Sequence, residues 1–321
     1  MAEKIDLMIV LEMAEYSRKY LSEKYNVHYW PDTGSHLQRL DDPVLKKIRA
    51  VQTNGSYGLK RPMIEAMPNL EIICAVGAGF EGVDLDAARE RGIVVTHGPG
   101  TNSDTVADQA WALILGSVRR VPVCDKGVRQ GRWDDVRVEM PSVTGKKLGV
   151  FGLGHVGGAI AKRGAGGFDM EVGYCTRRKR DDSPYRYFED VKSLADWADI
   201  LVLAAPGGPQ TRHVVDRDVL RRLGPEGYFI NVARGMLVDT DALIDALRNG
   251  TIAGAGLDVI DGEPKVPEGF LDLQNIVLSP HVGGFSPEAV RTMIHKVRDN
   301  LDAHFAGQKV LTPVPDERVS K

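Results

Sequence analysis

Three short runs in the second half of the chain each place a chemically useful side chain just beyond an apolar stretch. Phe229-Ile230-Asn231-Val232-Ala233-Arg234-Gly235 ends in a guanidinium. Leu257-Asp258-Val259-Ile260-Asp261-Gly262-Glu263-Pro264 ends in carboxylates, and Val277-Leu278-Ser279-Pro280-His281-Val282-Gly283-Gly284 carries an imidazole. Each has a plain structural reading by itself: Arg234 as a cap or ion-pair partner, Glu263 as a surface turn, His281 as a satisfied loop histidine. Together they form the set that carbonyl reduction needs. A guanidinium fork binds a carboxylate, an imidazole passes a proton to or from the carbonyl oxygen, and an acid orients the imidazole and favours its charged form. Ligands of open parallel sheets bind beyond the carboxyl ends of the strands, so all three residues are expected at one crevice.

A fourth run, Gly152-Leu153-Gly154-His155-Val156-Gly157, matches G-x-G-x-x-G between a strand-like stretch, Lys147–Phe151, and a helix-compatible one, Gly158–Arg163. In that context Gly152 permits a tight turn, Gly154 lets main chain approach a pyrophosphate, Gly157 allows close helix–strand packing, and the helix N-terminus attracts negative charge. Val156 and the main chain of His155 belong to the same cradle, with the imidazole of His155 expected in solvent. A site selective for NAD carries an acid about twenty residues further on. Here the chain reads Tyr174-Cys175-Thr176-Arg177-Arg178-Lys179-Arg180, with no acid before Asp181. Thr176, Arg177 and Arg178 supply the hydroxyl and guanidinium donors that a 2′-phosphate requires. NADP(H) is therefore the expected cofactor, with NAD(H) as the alternative; a solvated basic loop or a nuclear-localisation run are competing readings of the composition.

Holding these groups requires a layered scaffold. Strand-like runs at Ile5–Leu11, Val27–Trp30, Ile48–Thr53, Leu70–Val76 and Ile93–Thr96 alternate with helical patterns, the first at Glu12–Lys24 with Met13, Tyr16, Tyr20 and Leu21 near a helical period. A second series follows Gly98-Pro99-Gly100: a long amphipathic candidate at Asn102–Val118, then six strands at Lys147–Phe151, Met170–Cys175, Ile200–Ala205, Tyr228–Val232, Ile252–Leu257 and Ile276–Ser279. Alternation of this kind predicts α/β architecture with two doubly wound parallel sheets. The expected domains are residues 1–100 with 288–321, and residues 101–287, because Pro287–Phe305 forms one apolar-faced helix able to return to the first domain. With 321 residues and 43% hydrophobic residues, the chain can fill two cores. A net charge of −3 gives no general attraction to nucleic acid or anionic membranes, and neither is expected as a partner. Cys74, Cys124 and Cys175 show no disulfide or metal-type spacing, so no metal is expected. No secretory pattern at Met1–Asp6 and no run near the roughly 18 apolar residues of a membrane span make the cytoplasm the expected location.

From about Pro99 to Pro287 the chain resembles the D-isomer-specific 2-hydroxyacid dehydrogenase family, through Gly152–Gly157, Leu201–Thr211, Asn231–Ala246, Ile252–Pro264 and Ser279–Gly284. Phe229–Leu247 is the most specific stretch. Ile73–Leu85 and Thr101–Ala110 match more loosely. The resemblance implies a Rossmann nucleotide-binding domain and a flavodoxin-like substrate domain, with Arg234, Glu263 and His281 catalytic. It further implies that Asp258 meets the nicotinamide carboxamide, that Val232 and Ala233 line the nicotinamide, and that the N–H groups of Val76-Gly77-Ala78-Gly79 join Arg234 on the substrate carboxylate. The run after Cys175 is similar to that of NADP-using glyoxylate, hydroxypyruvate and hydroxyphenylpyruvate reductases. The implied reaction reduces a small 2-oxo acid to the D-2-hydroxy acid in a homodimer joined through the long helix near Thr101–Arg120 and its neighbouring segment. Glyoxylate and hydroxypyruvate lead as substrates, hydroxyphenylpyruvate and sugar-derived 2-oxo acids follow, and a non-catalytic dinucleotide-sensing corepressor is the alternative from another class. The chain departs from the family pattern at Pro206-Gly207-Gly208-Pro209, His155, Asp108 and Asp134–Thr144.

Overall fold

A computed structural model describes residues 4–31 and 39–315. Part of the Met1–Asp6 run, and residues 316–321 of the expected first domain, lie outside these residues. In chain order the first elements are β1 (Asp6–Ile9), α1 (Glu15–Ser22), β2 (Asn26–Tyr29), β3 (Ala50–Asn54), α2 (Arg61–Ala66), β4 (Ile72–Val76), α3 (Leu85–Glu90) and β5 (Val94–Thr96). Next come α4 (Ser103–Val118), α5 (Val121–Arg129), α6 (Trp133–Val136), β6 (Lys147–Phe151), α7 (His155–Gly167), β7 (Glu171–Cys175), β8 (Arg186–Phe188), α8 (Val191–Trp197) and β9 (Ile200–Leu203). The series ends with α9 (Arg217–Leu223), β10 (Tyr228–Asn231), α10 (Thr240–Arg248), β11 (Gly254–Leu257), β12 (Ile276–Leu278) and α11 (Pro287–Phe305). The chain divides into two units, Met1–Asn102 with Phe285–Lys321, and Ser103–Gly284.

In the first unit all strands are parallel in the order β2-β1-β3-β4-β5, the flavodoxin-like order. Successive residues point to opposite faces of a strand. Met8, Val51 and Ile73 therefore pack with Leu45, Met63 and Ile64 on one side, while Leu7, Ala50 and Ile72 pack with Leu21, Ile294, Val297 and Leu301 on the other. The long helix α11 supplies three of those partners, so its apolar face is spent within this unit. In α1 the buried face is Ser17 and Leu21, whereas Tyr16 is exposed, contrary to the expected stripe. The helix starts only at Glu15, which turns Tyr16 outward in its first turn.

The second unit has seven parallel strands in the order β12-β11-β10-β9-β6-β7-β8. Six were expected. The additional strand, β8, is three residues long and pairs only with β7, too short for any period to show in the sequence. Strand order reverses between β6 and β9, which is where open α/β sheets bind ligands. Leu148, Val150, Val202 and Ile230 pack against Ala110, Leu113 and Ile114 of α4, while Leu201, Leu203 and Phe229 pack under Leu194, Leu220 and Leu243 on the opposite face. Each such side chain contributes roughly 1.5–3 kcal/mol on full burial. This packing makes β6, β9, β10 and β11 a rigid platform for the loops that leave their carboxyl ends.

Candidate active site

β10, β11 and β12 are neighbours in the sheet, and Asn231, Leu257 and Leu278 occupy one register row. Neighbouring strands lie about 4.8 Å apart, so loops leaving one row emerge side by side. Arg234 follows the first of these strands, Asp258 and Glu263 the second, Ser279 and His281 the third.

His281 Nδ1 lies 2.5 Å from Glu263 Oε1. With Nδ1–H donated to the carboxylate, Nε2 is the ring atom left to carry a transferable proton. Burial works to raise the Glu263 carboxyl, but the hydrogen bond and charge of His281, the Ile260 N–H and the charge of Arg234 outweigh it and hold the group below its ordinary value. A Glu263 that stays ionised keeps the imidazole in one orientation. The main chain at His281 has φ +54°, a left-handed conformation that costs a non-glycine residue about 1–2 kcal/mol.

Asp258, 3% exposed, enforces that conformation. Its carbonyl accepts the His281 N–H at 2.8 Å, and its carboxylate accepts the Val282 N–H at 3.0 Å, the Gly283 N–H at 2.8 Å and the Ser279 hydroxyl at 2.6 Å. Ser279 Oγ in turn accepts from Gln109 Nε2 of α4 at 2.8 Å. The Arg234 turn is pinned in a similar way. Asn231, 1% exposed, accepts the Ala233 N–H at 2.9 Å and donates its amide to the Arg234 carbonyl at 3.0 Å. The guanidinium donates to the Ala233 carbonyl at 2.7 Å. Gly207 lies beside the stem of Arg234, where an added Cβ would fall 2.9 Å from its Cγ. The unusual Pro206-Gly207-Gly208-Pro209 run thus leaves room for the arginine. Asn231, Ser279 and Gln109 were not singled out from the sequence; the only available signal was Asn231, a polar residue inside an apolar strand.

The Gly-rich turn leaves β6 and α7 begins at His155, which is exposed. Gly152 has φ +97°, and a Cβ at Gly157 would fall 1.9 Å from the Gly152 carbonyl oxygen, so both positions need glycine. The main chain thus closes on itself tightly and presents the N-terminus of α7. After β7, Arg177 and Arg178 are exposed, while the Thr176 hydroxyl donates to the Arg178 carbonyl at 2.7 Å. This chemistry, glycine cradle and helix N-terminus beside exposed guanidinium groups, fits a dinucleotide carrying a 2′-phosphate. Val232 and Ala233, both buried, form the floor after β10. In the first unit, Val76 ends β4 and Gly77-Ala78-Gly79 follows as a loop; the Gly77 carbonyl accepts from the Gly98 N–H at 2.6 Å and the Ala78 carbonyl lies 2.9 Å from His97 Nδ1.

A family model described as "D-isomer specific 2-hydroxyacid dehydrogenase, NAD binding domain" matches residues 111–283. The chain is 40% identical over 314 residues to glyoxylate/hydroxypyruvate reductase A of Arabidopsis thaliana, covering 97% of this chain and 99% of that one. It is 38% identical over 315 residues to 2-ketogluconate reductase of Gluconobacter oxydans, covering 98% and 100%. An NADPH-dependent glyoxylate/hydroxypyruvate reductase from Sinorhizobium meliloti, solved with NADP and malonate, superposes with a TM-score of 0.89 at 36% identity, covering 97% of each chain. Likeness along nearly the whole length, in sequence and in fold, settles the lineage of these strand-end loops: the chain belongs to the D-isomer-specific 2-hydroxyacid dehydrogenase family.

Proposed function

We propose that the protein reduces a small 2-oxo acid of the glyoxylate or hydroxypyruvate kind to the D-2-hydroxy acid with NADPH. The observation that carries this reading is the His281–Glu263 pair on the same strand-end row as Arg234. When bound, the nicotinamide supplies a hydride to the 2-carbon. Arg234 pairs with the substrate carboxylate. His281 gives a proton from Nε2 to the carbonyl oxygen, so that hydride and proton together convert the 2-oxo group to an alcohol, and Glu263 stabilises the imidazolium beforehand. General acid catalysis of this kind contributes about 10²–10⁴-fold. Asp258 has about four acceptor sites and uses three on the 279–283 loop, leaving one for the carboxamide.

Preference for NADP(H) over NAD(H) rests on Arg177 and Arg178, with support from the Sinorhizobium meliloti structure. The Gluconobacter oxydans relative favours one second reading, a sugar-derived 2-oxo acid as substrate. Homodimer formation is part of the proposal. Most of α4 is buried in its own unit, whereas Val121, Val128, Trp133 and Val138 are exposed, so the apolar surface open to a partner lies on the neighbouring segment, α5, α6 and the residues after them. A cytoplasmic location accords with three free cysteines, two of them buried with thiols pushed up to about 12 at Cys74 and about 11 at Cys175 by burial. Among the described residues no helix is long and apolar enough to cross a membrane.

The test is consumption of NADPH and of NADH with glyoxylate, hydroxypyruvate, hydroxyphenylpyruvate and 2-ketogluconate. Turnover of at least one with NADPH preferred is expected. No reduction of any of the four with either cofactor overturns the reading.

A further inference from the structure

Arg180 belongs to the basic run after β7 but behaves unlike its neighbours. Its Nη1 donates to the carbonyl of Leu153, inside the Gly-rich turn, at 2.7 Å. Its Nε and Nη2 face the two carboxylate oxygens of Asp182 at 3.3 and 3.2 Å. The hydrogen bond and charge of Arg180 hold the Asp182 carboxyl below its ordinary value, so this partner stays ionised. The main chain of Arg180 is held as well: its N–H donates to Tyr174 Oη at 2.8 Å, and the same hydroxyl donates to its carbonyl at 3.3 Å. Tyr174 is fully buried in the core of its unit. At the other end of the turn the Thr176 hydroxyl is spent on the Arg178 carbonyl. Among the described residues the side chains of Arg177 and Arg178 form no ion pair or hydrogen bond.

The run therefore divides into two displayed cations and one that is neutralised and anchored. We propose that Arg180 is a positioning residue for cofactor choice: it clamps the basic turn to the Gly-rich turn and so fixes the span between the pyrophosphate cradle and the guanidinium groups of Arg177 and Arg178. This proposal rests on the NADPH reading above. The physical reason is geometric. In NADPH the pyrophosphate and the 2′-phosphate are joined covalently through one ribose, so both subsites are engaged only when their separation is correct. NADH lacks the second phosphate and makes no demand on that separation. A buried tyrosine at one end and a main-chain carbonyl at the other make the clamp stiff. Thr176 acts as the turn former, its proton already donated, and the direct phosphate donors are the two arginines.

Fluorescence titration of the full-length protein with NADPH and with NADH tests this. Arg180→Met is expected to weaken NADPH binding by about tenfold, the loss of one charge-assisted hydrogen bond, while NADH binding changes less than about twofold. Arg180→Lys, which can still reach the Leu153 carbonyl, restores part of the difference. Tyr174→Phe, which removes no charge from the loop, gives the same selective loss for NADPH; this separates a clamp from a direct phosphate contact. A wild-type protein with no preference for NADPH overturns the cofactor reading, and the clamp with it. A wild type that prefers NADPH, with Arg180→Met weakening both cofactors equally or neither, overturns the clamp alone. Selective loss in Arg180→Met with no selective loss in Tyr174→Phe also overturns it.

Discussion

The loops after β10, β11 and β12 and the loops after β6 and β7 leave the same sheet edge but treat charge in opposite ways. At the first group the side chains that build the site are answered: Glu263 by His281, Asp258 by Ser279, Val282 and Gly283, Ser279 by Gln109, Asn231 by the Arg234 turn. At the second, Arg177 and Arg178 stand exposed on a turn whose own bonds are made by other atoms. The difference suits the tasks proposed for the two groups. Proton transfer tolerates little displacement, because orientation alone can be worth about 7–11 kcal/mol, and the loop that carries His281 is held by several bonds. Recognition of a phosphate needs charge at the right distance, and long exposed side chains provide it with little prior ordering.

That contrast can be broken at either end. Arg234→Ala removes a bidentate, charge-assisted contact and is expected to lower kcat/KM for the 2-oxo acid by about a hundredfold or more, with cofactor affinity retained. Steady-state kinetics with hydroxypyruvate checks this. Asp258→Asn keeps the shape but takes the charge from three hydrogen bonds that hold the His281 loop, so kcat is expected to fall by about tenfold with the KM for substrate little changed. Arg177→Ala acts at the exposed end: NADPH affinity falls severalfold at low salt, and the difference shrinks as ionic strength rises beyond about 0.1 M, since exposed charges are screened. An effect of Arg177→Ala that is independent of salt would mean the cation is not acting from solvent, and the two regions would no longer differ in kind.

Stability gives the smallest effect. The Glu263 carboxyl sits lower in the folded chain than its ordinary value of 4.5, so its contribution is fully present above that value and is lost as pH falls through the folded one. Thermal melts of wild type and Glu263→Gln should therefore differ above about pH 5 and converge in stronger acid.

How far these features could be read from sequence varies with their physics. Arg234, Glu263 and His281 carry side chains whose chemistry is visible wherever they stand, and the apolar runs before them mark strand ends. The parallel sheets were legible for the same reason, since strands buried on both faces read as continuous apolar runs. The groups that aim the site were not. Gln109 meets Ser279 across 170 residues, and Arg180 meets Leu153 across 27; contacts made across folded loops leave no period in the chain. Strand β8 escaped because three residues are too few for an alternation to show in the sequence.

The most direct test of the reaction is a single-turnover measurement of NADPH oxidation by His281→Ala with hydroxypyruvate at saturating substrate. The expected result is a rate at least about a hundredfold below wild type, with the affinity for NADPH unchanged. A single-turnover rate equal to that of the wild-type protein would contradict the assignment of the transferred proton to His281.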